Sequence, residues 1–241
     1  LGKDKFNRAN PNLDWYNRYA EKFLEKNNYK DAEEKLVGIR DQAFNVIKLG
    51  AVDLDFENER TRLNIANLYL KQNRFEKALE DDTNPSKQYD DSLFYLHHQK
   101  PDSFDYADKV GNAYMLWANQ VKNIPEKQKI LKKAYDFYHQ YYNEHPKVLD
   151  AFSRITQLSI DLDDEVDKKL DFITQHNLMP KLHHKTLAKL GLYFTEKERY
   201  NIVYQAISLL NHQKTTEPWA YYMMGNYYYK ADNMDLAELS L

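Results

Sequence analysis

Apolar residues recur at helical spacing along almost the whole chain, and strand-like alternation is scarce. Tyr16, Tyr19, Ala20, Phe23 and Leu24 follow the i, i+3, i+4 rule of an amphipathic helix. Leu63, Ala66, Tyr69 and Leu70 do the same, as do Leu187, Leu190, Gly191 and Phe194. Short polar breaks separate such blocks, at Asn27-Asn28, Gln72-Asn73, Glu196-Lys197 and Ala231-Asp232-Asn233, and they have the length of tight helix–helix connections. Only 6 of the 241 residues are glycine, so helix ends must be made otherwise; Asn and Asp accept the left-handed backbone at lower cost than other side chains. Pro101, Pro125, Pro146, Pro180 and Pro218 all precede helical patterns, where a missing N–H costs nothing. Asn84-Pro85-Ser86 separates a helix ending near Glu80 from one expected over about Lys87 to His98, with irregular segments expected near 49–56 and 82–86. Nothing reads as a long linker, so one continuous all-α domain, 1–241, is expected.

The helical pattern also repeats. In Ile65–Ala78 and in Met224–Ala237 a small residue (Ala66, Gly225) is followed three later by an aromatic and nine after that by alanine. Ala20, Phe23 and Ala32 keep the same rhythm, and Gly191 and Phe194 lie 34 residues before Gly225 and Tyr228. Gly111-Asn112-Ala113-Tyr114 and Gly225-Asn226-Tyr227-Tyr228 share one core. These segments resemble the tetratricopeptide repeat (TPR), a helix–turn–helix unit of 34 residues. The resemblance implies a right-handed α-solenoid of antiparallel helix pairs, each burying its apolar face only by stacking on its neighbours. The clearest repeats are about 13–46, 59–82, 104–146, 184–217 and 218–241, with 147–183 helical but degenerate. Spacing departs from the family: Ala20 to Ala66 is 46 residues and Ala66 to Gly111 is 45. A generic right-handed array of helical hairpins fits the same pattern.

Composition removes several function classes. Without cysteine there is no disulfide, thiolate metal site or cysteine nucleophile. Six scattered glycines build neither a phosphate loop nor a dinucleotide fingerprint, and no nucleophile elbow is present. No nucleophile–base pair stands out, so a non-enzyme without cofactor is expected. Lys+Arg 34 against Asp+Glu 37 leaves no basic excess for nucleic acid. No apolar run reaches about 18 residues, so no membrane span is expected. Asn84, followed by Pro85, is no glycosylation acceptor, which points away from a secreted glycoprotein and toward the cytoplasm. A chain that begins at Leu1 fits a removed signal peptide or a trimmed start equally.

The resemblance further implies a concave groove lined mainly by the first helix of each pair. Taking the small residue as core-facing, the stripe displaced by one residue faces that groove. In the last repeat it holds Trp219, Tyr222, Asn226, Tyr229 and Lys230; in the third, Asp105, Asp108, Asn112, Met115 and Leu116. The second gives Arg60, Leu63, Asn67, Leu70 and Lys71, the first Asn17, Glu21 and Leu24. Asn67, Asn112 and Asn226 thus share one position, and groove asparagines grip a ligand's backbone in peptide-binding members of the family. A carboxamide both donates and accepts, so it reads an extended peptide without demanding a side chain. Arg60 and Lys71, beside Asn67, suit a ligand carboxylate.

Two aromatic clusters, Tyr135, Phe137, Tyr138, Tyr141 and Tyr142, then Trp219, Tyr221, Tyr222, Tyr227, Tyr228 and Tyr229, wrap more than one helical face, so each is expected to leave rings at the surface. His97-His98 and His183-His184 read as surface or cap residues, since helical neighbours point about 100° apart. The acidic run Asp161–Asp167 lacks the turn glycine and closing glutamate of a calcium loop, and reads as a loop and an acidic helix start. Together these features point to a non-catalytic scaffold that binds a peptide or protein segment in its groove. The other reading is a self-associating structural module: no polar capping helix follows the last one, so its apolar face is expected to be covered either by further residues or by a second copy.

Overall fold

The computed structural model describes residues 13–47, 55–79 and 92–240. Among the described residues the regular structure is helical throughout, thirteen α-helices and one 3-10 turn without a strand. No described helix is long and apolar enough to cross a membrane. Packing divides the chain into two compact units, 1–120 and 121–241. The boundary falls between the two helices of the repeat expected at 104–146.

Unit 1 contains α1 (Leu13–Glu25), α2 (Tyr29–Ile47), α3 (Asp55–Lys71), α4 (Phe75–Leu79), α5 (Leu93–Gln99) and α6 (Phe104–Gln120). Helix α1 packs on α2 and α3 through Ala20, Leu24, Ala32, Leu36, Ile65 and Leu68, with Phe23, Tyr29 and Tyr69 at the edges. Leu24, expected on the groove stripe, is a core residue: it falls one turn beyond Ala20, on the same face. Helix α5 starts later than the pattern predicts. Ser92 is extended (φ −75°, ψ 157°) and its side chain accepts from the Tyr95 N–H at 3.0 Å, which fixes Leu93 as the first helical residue. The remaining expectations for 48–54 and 80–91 lie outside the described residues; of the irregular segment expected near 49–56, residues 55 and 56 are helical.

Unit 2 contains α7 (Ile124–Glu144), α8 (Leu149–Leu162), α9 (Val166–Gln175), a 3-10 turn (Met179–Lys181), α10 (His184–Glu196), α11 (Tyr200–His212), α12 (Pro218–Lys230) and α13 (Met234–Ser240). Helix α10 is central and touches α8, α11 and α12. Leu187, Leu190 and Phe194 of α10 are fully buried with Val203, Leu210, Ala220 and Met223. Gly191 marks a close approach: a Cβ there would lie 2.7 Å from the Met223 Sδ of α12. Helix α7 corrects one expectation. Tyr135, Tyr138 and Tyr141 are buried, and Phe137 and Tyr142 are half-buried, so none of that cluster is exposed. Rings at i, i+3 and i+6 share a face, and here that face is covered.

The turns solve the shortage of glycine in one way. Asn27, Asn73, Asp163, Asn177, Glu198, Lys214 and Asp232 all have φ between 49° and 58°. After each, the next N–H bonds to the carbonyl five residues earlier, as in Asn28 to Phe23 (2.9 Å), Arg74 to Tyr69 (2.8 Å) and Arg199 to Phe194 (2.9 Å). This is the Schellman closure without its usual glycine.

Candidate functional site

The stripe residues of unit 1 sit on α1, α3 and α6 and are half-buried or exposed apart from Leu24; the side chain of Asn17 falls outside the described residues. Several already have partners. Arg60 clamps Glu21 of α1, with Nη2 2.9 and 3.0 Å from its two oxygens, and Asn64 adds a bond of 3.0 Å to the same carboxylate. Arg60 is therefore a strut between α1 and α3 rather than an open cation for a ligand carboxylate. Asn112 donates to Asp108 on its own helix at 2.6 Å. Leu63, Asn67 and Met115 are half-buried, while Lys71 and Leu116 are exposed.

In unit 2 the stripe belongs to α12. Trp219 stacks on His184 of α10, ring centroids 5.3 Å apart and planes 11° apart. Lys230 reaches back to Glu196 of α10 at 2.8 Å. The Lys230 hydrogen bond and charge, then Asn226, hold the Glu196 carboxyl below its ordinary range, and the same bond holds Lys230 above its own. Tyr222 (58% exposed) and Tyr229 (62%) remain open, as expected of this cluster; Tyr221 is also exposed. The structure thus brings Tyr222, Asn226, Tyr229 and Lys230 together on one helix. Asn67 and Asn112 belong to the other unit.

Glu196 was missed by the sequence reading, although its signal was present: opposite charges at 196 and 230 lie one repeat length apart. Also missed was a buried polar seam between α8 and α10. Gln157 Nε2 donates to the Thr186 hydroxyl at 2.7 Å, and that hydroxyl reaches the Ser153 carbonyl at 3.4 Å. At the rim of the seam Lys189 binds Asp161 (2.6 Å) and Tyr193 donates to Asp163 (2.8 Å). Burial, then the Asp163 carboxylate, pushes the Tyr193 hydroxyl up to about 12.

The acidic run is a helix end and a helix start, with left-handed residues at Asp163 and Glu165. Its carboxylates are taken up by Lys189, Tyr193, Lys132, Lys168 and Arg199. His183 caps α10, its Nδ1 accepting from the Lys185 N–H at 3.2 Å, and its ring lies 3.8 Å from that of His184. Burial first, then the charges of His184 and Arg154, holds His183 below the ordinary imidazole value. Three cavities of unit 2 are lined by residues outside α12. One of about 530 Å³ lies between α7 and the α8–α9 turn, and two of about 460 and 290 Å³ lie between α9 and α11.

No protein-family model matches the sequence, and no curated protein matches it.

Proposed function

We propose that the chain is a TPR-like right-handed solenoid of antiparallel helix pairs, and that it works as a non-catalytic scaffold binding a protein or peptide segment. The seam between α10 and α12 carries this reading. Gly191 lets Met223 of the next pair come close, and Glu196 meets Lys230 34 residues on, so one repeat length separates residues that touch. That is how stacked repeats bury faces which no single pair covers alone. Within unit 2 the groove face of this scaffold is the α12 stripe, with Tyr222 and Tyr229 as its open aromatic anchors; large amphipathic rings dominate binding energy at interfaces. Affinity capture with the intact chain, followed by titration of each purified partner, tests the reading. A partner should bind at least tenfold more weakly to the Tyr222→Ala/Tyr229→Ala variant and to the Asn67→Ala/Asn112→Ala/Asn226→Ala variant. Partners indifferent to both variants would remove the groove.

A second reading, self-association, rests on a different observation. Ala188 and Thr195 flank Gly191 on the face that receives Met223, and both are buried. Their counterparts 34 residues on, flanking Gly225, are Tyr222 and Tyr229, and both are open. The two positions that flank the close approach on α10 are thus open on α12, although Gly225 between them is buried, and their uncharged rings suit a second copy. Light scattering over a concentration series decides: a monomer at every concentration excludes this reading.

A further inference from the structure

His183 is where α8, α10 and α12 are tied together at their starts. Its backbone N–H reaches Ser153 Oγ of α8 at 3.4 Å. Its carbonyl accepts from the Thr186 (2.8 Å) and Leu187 (3.1 Å) N–H groups in the first turn of α10. Its ring caps the same turn, Nδ1 accepting from the Lys185 N–H at 3.2 Å. That ring also begins a row: it lies 3.8 Å from His184, whose own ring stacks on Trp219 of α12.

Such a cap differs in one respect from the usual Ser, Asp or Asn. A ring nitrogen accepts only while it carries no proton, and an imidazolium offers two donors and no acceptor. The bond to Lys185 therefore exists in one protonation state alone. Around the ring stand Asp150 and Arg154 of α8 and His184 and Lys185 of α10. The 3-10 turn leading into it ends at exposed Lys181, and α12 meets the row with the uncharged Trp219. Partial burial, then the positive charges of His184 and Arg154, outweigh Asp150 and disfavour a proton on His183. The positive end of the α10 dipole acts in the same sense. The residue is nevertheless exposed, so solvent protons reach the ring without any opening of the fold. We propose that His183 is a proton-operated catch at the start of α10: neutral, it holds the first turn closed, and protonated, it lets that turn go. Release is local, because Leu187, Leu190 and Phe194 keep the rest of α10 fixed in the core. The catch needs no partner protein, so it stands or falls apart from the scaffold reading.

The test is an NMR titration of the isotope-labelled full chain from about pH 7.5 to about pH 5. At the upper end the His183 ring should carry its proton on Nε2, as an accepting Nδ1 requires. The Lys185 amide resonance should move in step with the His183 ring signals, below about pH 6.5. Over the same range, hydrogen-exchange protection of Thr186 and Leu187 should fall about fivefold, the worth of one cap. His183→Asn, whose carboxamide accepts at every pH, should hold that protection constant; His183→Ala should show the lower value throughout. A proton on Nδ1 at neutral pH, a Lys185 amide that does not follow the ring, or an equal fall in His183→Asn overturns the catch.

Discussion

Helix α10 makes two seams of opposite character. Toward α8 it buries a polar chain, Gln157 to Thr186 to the Ser153 carbonyl. Toward α12 it buries an apolar contact in which Met223 lies over Gly191. Gln157 stands 34 residues before Gly191, and where a long amide fills the first seam the second is left empty. An apolar seam is intolerant of added volume but indifferent to hydrogen bonding. A polar seam tolerates a change of shape only while its donors and acceptors stay matched.

The sharpest break is Gly191→Leu. A side chain there must displace Met223, which is fully buried, and should cost about 3 kcal/mol or more in urea denaturation. A cost near zero would mean that the α10–α12 seam is loose. Next comes Gln157→Ala, which opens a gap and strands Thr186; about 1–3 kcal/mol is expected. Gln157→Met keeps the volume and removes the buried Oε1, which has no partner, so it should cost clearly less than the alanine variant. Equal losses in the two variants would assign the cost to the Thr186 bond, which both remove, rather than to the gap.

A smaller effect comes from His183, whose backbone N–H approaches Ser153 Oγ (3.4 Å) at the end of the polar seam. Its folded value lies below the ordinary 6.5, so the unfolded chain binds the proton more tightly. Stability is therefore full above about pH 6.5 and declines as pH falls toward the folded value. His183→Gln should flatten that part of the curve, and an unchanged slope would assign it to other groups. The smallest change belongs to Glu196→Gln: an exposed pair of this kind leaves the melting temperature unmoved.

The apolar seam was legible because close approach demands a small residue, and Gly191 and Gly225 stand out at equal spacing beside Phe194 and Tyr228. The polar seam was not. Once Gln157 replaces the small residue, the mark of the repeat vanishes, and 147–183 looks degenerate although α8 and α9 both form there. The α12 tyrosines were read as open because the rings outnumber the faces available to cover them. The same argument failed for α7, where Tyr135, Tyr138 and Tyr141 align on one covered face. Arg60 lies on the expected helix, but its partner Glu21 depends on how α1 and α3 sit against each other, which residue spacing does not encode; the bond of Asn112 to Asp108, four residues back on the same helix, was within reach of spacing.

The neighbour-to-neighbour packing of unit 2 has a kinetic consequence. Each seam joins residues about 30 positions apart, so chain closure is short-range and folding is expected to be fast for a unit of this size. Opening is also local. Releasing α12 and α13 uncovers the Met223 side of α10 and the edge of α11 that meets Tyr227, and leaves the α8–α10 seam intact. Amide protons of α12 and α13 should therefore exchange with solvent before those of α8 and α10, through a partial opening rather than global unfolding.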